Sequence, residues 1–246
     1  STYRATHSKE YLDSIDKRDN KITALRILFL GQSNYNRKKE RTIYIDPIVS
    51  MYRPLLPGGA RAVIGIGYAK IFESKKSFRM DGELSYGFFN RDFMGSLKTT
   101  YRYNPFSNGY LSVDIGRDFD LIFIGDAFVN LFRRSNFYIK NNITIEHGLE
   151  ILNGLILRNK IEFAERQSID QLNLKRTYDT LFTFNNDPIK FEPYNSFYSS
   201  ITLEYTPFSM YIREPRQKII LGSKYPTFYI RWRKGIPNVL QSAVNF

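Results

Sequence analysis

The chain of 246 residues carries 36 Lys and Arg against 24 Asp and Glu, which gives a formal net charge of +12. It has no cysteine, and this excludes a disulfide framework, a thiolate metal site and a cysteine nucleophile. Aromatic residues make up 16% of the chain, and a basic, aromatic composition fits either contact with anionic lipid headgroups or binding of single-stranded nucleic acid. No run approaches the roughly 18 apolar residues of a transmembrane helix.

Residues 1–41 are predicted to form a polar N-terminal segment with one short helix. The helix is placed at Lys21–Leu30, where Asp19 or Asn20 could cap its start and Gly31 its end. Its apolar residues recur at helical spacing: Ile22, Leu25, Leu28 and Phe29. Because the chain starts at Ser1 rather than Met, we expect it to be processed or a fragment.

Residues 42–246 are predicted to supply about nine or ten antiparallel strands. Thr42–Tyr52 is interrupted by Pro47, which favours an edge strand. Arg61–Lys70 follows, and its Gly65 and Gly67 share one face. These small residues indicate either close approach by a group inside the fold or simple strand curvature.

Phe78–Phe88 shows the pattern most clearly, because its apolar and polar residues alternate with period two. A strand of roughly 11 residues crosses a bilayer when it is tilted. Its apolar face begins and ends in aromatic residues, as lipid-facing strands do at the two membrane interfaces. The candidate lipid-facing residues are Phe78, Met80, Leu84, Tyr86 and Phe88.

The pattern changes near residues 119–140, where apolar spacing from Phe119 predicts a helix that interrupts the strands. A continuous strand at Leu121–Ile124 fits nearly as well. Strands are predicted to resume at Asn142–Ile151. Residues 167–195 read as a long polar connection with a short strand at Thr180–Phe184, and Met210–Gln217 reads as a second link.

The opposite face of the strands carries charges of both signs, which predicts an ion-pair ladder lining a lumen. Charge pairing that fills a narrow lumen is the simpler interpretation, and a selectivity filter is the alternative. The candidate lumen-lining residues are Arg79, Asp81, Glu83, Lys98, Arg102, Asp114, Arg158, Lys160, Glu162, Arg166, Arg231 and Arg233.

Alternation alone does not separate a membrane barrel from a soluble sandwich, since both have one apolar and one polar face. Long strands and aromatic residues near their ends favour the membrane. The predicted fold class is therefore all-β, an antiparallel transmembrane β-barrel, here an incomplete barrel segment, with one or two short helices.

Catalytic and metal chemistry has little support in the sequence. His7 and His147 are the two histidines, and neither belongs to a cluster with metal-ligand spacing or to a Ser/His/Asp arrangement. We therefore expect no cofactor, no metal site and no enzymatic activity, with a barrel-borne enzyme as a minority alternative.

The block Gly222–Ile236 is the most specific motif of the last third of the chain. Together with Phe191–Pro193, Phe132–Phe137 and Glu150–Arg166, which match more loosely, it resembles the barrel domain of a Bacteroidota outer-membrane family of unassigned function. Members of that family usually carry an N-terminal carboxypeptidase-regulatory-like domain, which we expect to be absent from these 246 residues. The resemblance implies that further strands follow the position of Phe246, so that this chain would be an incomplete barrel.

The expected location is therefore the bacterial outer membrane, and the expected role is a transport component or a subunit of an envelope assembly or secretion complex. The expected partners are the lipid bilayer, anionic lipid headgroups and other outer-membrane or periplasmic envelope proteins, with no nucleic acid. A soluble basic β-protein that binds nucleic acid remains the alternative.

Overall fold

The computed structural model describes residues 8–54, 56, 58–123, 133–174 and 186–244. An eleven-stranded sheet dominates these residues, and its strands pair antiparallel in the order β1-β2-β4-β5-β6-β7-β8-β9-β10-β13, with β3 added beside β4. β1 and β13 end this order, so the sheet is not closed. Its strands are β1 Gln32–Asn36, β2 Arg41–Ile45, β3 Tyr52–Arg53, β4 Arg61–Ile71, β5 Ser77–Gly87, β6 Asp92–Asn104, β7 Gly109–Leu121, β8 Phe137–Leu152, β9 Leu155–Gln167, β10 Tyr194–Tyr205 and β13 Phe228–Gly235.

Short connections join neighbouring strands from β4 to β7, as the predicted meander requires. A separate two-stranded hairpin is formed by β11 Met210–Glu214 and β12 Gln217–Gly222. The prediction that Met210–Gln217 is a plain link is therefore wrong. Pro215 lies in the tight turn between the two strands, where it interrupts the sequence pattern without ending the pairing.

The prediction of a helix from Phe119 onward is wrong for residues 119–121, because β7 continues to Leu121 and pairs with β8. Asp118, Phe119, Asp120 and Leu121 alternate polar and apolar, which is the period of a strand. Residues 124–132, and the short strand expected at Thr180–Phe184, lie outside the described residues.

The N-terminal segment contains a helix that the sequence analysis missed, α1 at Lys9–Asp19. Ser8 caps it by accepting a hydrogen bond from the Tyr11 N–H at 3.2 Å. Asn20 is the C-cap of α1, so its predicted role as an N-cap is wrong.

The helix predicted at Lys21–Leu30 is shorter than expected. Its regular part is a π-helical turn, Arg26–Leu30, and Gly31 ends it with φ +79° as predicted. The other helical pieces among the described residues are short 3₁₀ turns at Arg37–Lys39, Ile48–Ser50, Arg134–Asn136 and Val239–Gln241. None of the described helices is long and apolar enough to cross a membrane.

Charged hydrogen bonds hold α1 against the turn that follows β1. Arg37 Nη1 donates to Asp16 Oδ1 at 2.6 Å, and its Nη2 donates to Asp19 Oδ2 at 2.5 Å. Hydrogen bonds from Arg18 and Arg37 keep the pKa of Asp19 below its ordinary value of 3.8.

We expect α1 to detach in acid. The folded-state pKa of Asp19 is the lower one, so its contribution to stability is present above its ordinary pKa and is lost as the pH falls through the folded-state pKa. Amide hydrogen exchange in α1, corrected for the intrinsic rate, should be protected at neutral pH and lose that protection at a pH below the folded-state pKa of Asp19. The variant Arg37→Gln should lose protection already at neutral pH. Equal protection of the wild-type helix at both pH values would contradict this role for Arg37.

The two faces of the sheet are opposite in character, and their exposure is the reverse of that in a water-soluble protein. One face is apolar and exposed: Ile66 is 50% accessible, Leu84 56% and Ile143 47%. The other face is polar and largely covered, with Ser196 at 0% and Glu162 at 7%. The apolar face is therefore the one that the described residues leave without a partner.

Tyrosine rings cover glycines on the polar face. Tyr44 lies directly across from Gly67, and Tyr110 directly across from Gly148, so that a Cβ at either glycine would overlap the ring. Close approach by Tyr44 is therefore one reason for the small residues in β4. This is the first of the two interpretations of Gly65 and Gly67, that a group inside the fold lies close to the strand. Such cross-strand pairing of an aromatic ring with a glycine also fixes strand register.

Candidate functional site: a cationic cleft on the polar face

The sheet places a cleft of about 490 Å³ on the polar face of β8, β9, β10 and β13. Its charged lining residues are six Lys or Arg and three Asp or Glu. Half of the predicted lumen-lining residues meet there: Arg158, Lys160, Glu162, Arg166, Arg231 and Arg233. The cleft is therefore the largest concentration of positive charge that the predicted set forms.

The other six predicted lumen-lining residues lie on the same face, on β5, β6 and β7. Strand register places Asp81, Lys98 and Asp114 side by side, an arrangement of alternating sign. Arg79 Nε lies 2.7 Å from Asp81 Oδ2, and Arg53 makes a two-point ion pair with Glu83 at 2.6 and 2.9 Å. Arg102 lies opposite Ser77, on the same face.

The predicted lipid-facing residues lie on the opposite, apolar face. Register places Phe78, Met80, Leu84 and Tyr86 beside apolar or aromatic partners such as Ile64 on β4. Phe88 follows the end of β5, and its ring centroid lies 5.8 Å from that of Tyr86.

Glu162 lies at the centre of the ion pairs in the cleft. Its carboxylate oxygens are 3.3 Å from Lys140 Nζ, 3.5 Å from Lys160 Nζ and 3.8 Å from Arg166 Nη2. Lys140 Nζ also lies 3.5 Å from Asp120 Oδ2, so the three cations surround two carboxylates and one positive charge is in excess. Lys140 was missed by the sequence analysis because the predicted strand began at Asn142, whereas β8 begins at Phe137.

Arg166 is enclosed by aromatic rings. Its guanidinium lies 5.5 Å from the ring centre of Tyr138, 5.4 Å from that of Tyr198 and 6.0 Å from that of Tyr194. Its Nε is buried and has no hydrogen-bond partner within the part of the chain that the structure describes. The arrangement is a cation–π site in which the arginine is held in place by rings on β8 and β10.

Arg231 and Arg233 occupy the edge strand β13, two residues apart on the polar face. Arg231 Nε donates to Thr202 Oγ1 at 3.3 Å, and the Arg233 guanidinium lies 4.0 Å from the ring centre of Tyr198. Within the described residues neither arginine is paired with a carboxylate. Both guanidinium groups therefore keep donors for an anionic ligand.

Metal binding has no support in the described part of the chain, which contains no group of three or more His, Asp or Glu residues placed to hold an ion. His147 lies away from the cleft, with its Nε2 2.7 Å from the hydroxyl of Tyr103. The chemistry that the cleft offers is recognition of negative charge.

These features define a class of protein: a large antiparallel sheet with a largely covered polar face that holds a cationic cleft, and an exposed apolar face. Residues 25–246 match the C-terminal domain of a family of unknown function, DUF5686. The chain belongs to that family. No curated protein and no solved structure matches the chain.

Proposed function

We propose that this chain forms part of the wall of a β-barrel in the bacterial outer membrane and acts there as a transport component or as a subunit of an envelope assembly complex. The observation that carries the proposal is the reversal of the two sheet faces. Leu84, Ile66 and Ile143 are about half exposed on the apolar face. Lipid is the solvent in which such a face is stable and in which the polar face is turned inward.

Strand dimensions support the same location. Strands β4 to β10 have 11 to 16 residues, at or above the roughly 9–11 that a tilted strand needs to cross a bilayer. Phe78 and Phe88 are separated by roughly 33 Å along the chain. At a tilt of about 40° this separation corresponds to roughly 25 Å, the height of the apolar band of such barrels.

Aromatic rings group at both ends of this band. Tyr68 and Phe78 lie together at one end, with ring centroids 6.2 Å apart, and Tyr86 and Phe93 lie together at the other, 5.0 Å apart. Rings at headgroup level are typical of membrane strands. Backbone groups at a sheet edge must be paired in lipid, so the proposal requires that β1 and β13 meet partner strands in the membrane.

Nucleic-acid binding is the weaker candidate. Stacking of bases requires accessible aromatic rings, whereas Tyr138 and Tyr198 in the cationic cleft are 7% and 6% exposed. Arg166 lies against both of these rings. The exposed rings of β4 to β10 lie on the apolar face, and on the edge strand β13 the polar face exposes one ring beside its arginines, that of Tyr229 at 64%.

Fractionation tests the proposed location. After expression in a Gram-negative host with an export signal, the chain should be in the outer-membrane pellet, resist an alkaline carbonate wash and need detergent for extraction. An unrelated soluble periplasmic protein serves as the control. Recovery of the folded chain in the aqueous supernatant would make the membrane location wrong and would favour the soluble nucleic-acid binder.

A further inference from the structure

We propose that the cationic cleft is a binding site for a phosphoryl group, held between Arg158, Lys160, Arg231 and Arg233. The inference rests on the geometry of the polar face and does not require the membrane location. It goes beyond the proposed function by assigning a ligand chemistry to a defined part of the sheet.

Strand register arranges the four cations around two hydroxyl groups. Ser200 lies between Lys160 and Arg233, because it pairs with the first on β9 and with the second on β13. Thr202 lies in the same way between Arg158 and Arg231. The outer members of each row are roughly 10 Å apart at their Cα atoms, and the two rows are roughly 7 Å apart. Lysine and arginine side chains are long enough to converge across these spacings.

The charges of the four cations are only partly neutralised. Arg158 is paired with Glu204, and Lys160 Nζ lies 3.5 Å from Glu162 Oε2. Arg231 and Arg233 have only the Thr202 hydroxyl and the Tyr198 ring as polar or π partners among the described residues. Two guanidinium groups of like charge on one edge strand repel each other, and a bound anion removes that repulsion.

The number and direction of the donors favour a phosphoryl group over a carboxylate. A single guanidinium fork satisfies the two oxygens of a carboxylate. This cleft offers the guanidinium groups of Arg231 and Arg233 on β13, Lys160 on β9 and the two β10 hydroxyls between them. Such a set of donors suits the three or more oxygens of a tetrahedral group. The Arg166 Nε, buried without a partner, adds to the positive environment at one end of the cleft.

Titration of the full chain in detergent micelles with inorganic phosphate and with pyrophosphate, followed by ³¹P NMR and calorimetry, tests the site. Arg231→Gln and Arg233→Gln should each weaken binding roughly tenfold, the size expected for one charge-assisted hydrogen bond. Lys234→Gln is the matched control, because Lys234 lies on the same strand but on the apolar face. It should leave binding unchanged, and Arg233→Lys, which keeps the charge without the guanidinium fork, should lose less affinity than Arg233→Gln.

Folding of each variant is checked by the fluorescence of Trp232, the one tryptophan of the chain. Absence of phosphate binding by the folded wild type, equal loss in Lys234→Gln, or acetate binding as tight as phosphate would overturn the assignment.

A competition experiment with lipid vesicles identifies the source of the phosphoryl group. Competition by phosphatidylglycerol vesicles, but not by phosphatidylcholine vesicles, indicates an anionic lipid headgroup, and competition by neither indicates a soluble phosphorylated compound. Phosphate binding and membrane fractionation are independent measurements. If fractionation shows that the membrane location is wrong, the result of the phosphate titration still stands.

Discussion

Replacement of Leu84 by arginine is expected to lower the free energy of unfolding of the chain in lipid vesicles by roughly 2–4 kcal/mol. Leu84 is 56% exposed on the apolar face. It lies between the aromatic ends of β5, near the level of the proposed bilayer midplane, where a charged side chain loses its hydration. If this face were in water, an exposed position would tolerate arginine to within about 0.5 kcal/mol. Urea titration of the vesicle-bound chain measures the difference.

Glu83→Gln is the matched control for Leu84→Arg. Glu83 is the neighbour of Leu84 on the polar face, where it pairs with the half-exposed Arg53. Loss of such a pair costs about 1 kcal/mol or less. A fluorophore on a cysteine at position 84 should be reached by a lipid-phase quencher, and one at position 83 should be protected. Quenching that is equal at the two positions, or stronger at 83, would reverse the assignment of the faces.

Replacement of Lys218 by methionine is expected to destabilise the fold by roughly 3–5 kcal/mol, because it leaves a buried carboxylate without its cation. Lys218 Nζ lies 2.6 Å from Glu150 Oε1, and the two side chains are 11% and 2% exposed. Glu150 also accepts from the Gly154 N–H at 2.9 Å. The pair therefore anchors the β11–β12 hairpin to the turn between β8 and β9.

Trp232 fluorescence in urea measures the effect of Lys218→Met. Lys224→Met, at an exposed lysine in the same connection, is the control and should change stability by less than about 0.5 kcal/mol. Adding Glu150→Gln to Lys218→Met should restore part of the loss, since the amide still accepts from Gly154 without a buried charge. Equal stability of the two lysine variants would show that the hairpin is not anchored through Glu150.

Period-two alternation made most of the sheet predictable. The predicted strand Phe78–Phe88 differs from β5, Ser77–Gly87, by one residue at each end, and its polar and apolar residues divide between the faces as predicted. Alternation also placed the charged residues of β9 and β13 on one face. It could not show which strands bring them together, because that depends on pairing between segments distant in the chain.

Elements without clear alternation were missed. α1 has three apolar residues at helical spacing, Tyr11, Leu12 and Ile15, so its signals were this short stripe and the cap at Ser8. β11 begins with three consecutive apolar residues, Met210 to Ile212, and its hairpin closes at Pro215. Tyr138 and Lys140 were missed as cleft residues because β8 starts five residues before its predicted beginning.

The alternation of the strands has a consequence for export on the proposed route. Charged and polar residues interrupt the apolar ones along the strands, and the mean hydropathy of the whole chain is −0.38. A translocon inserts long continuous apolar segments laterally into the cytoplasmic membrane, and the strands contain no such segment. On the proposed route the unfolded chain can therefore be translocated across that membrane without being inserted into it. Its affinity for lipid arises only when strand pairing collects the apolar side chains on one surface.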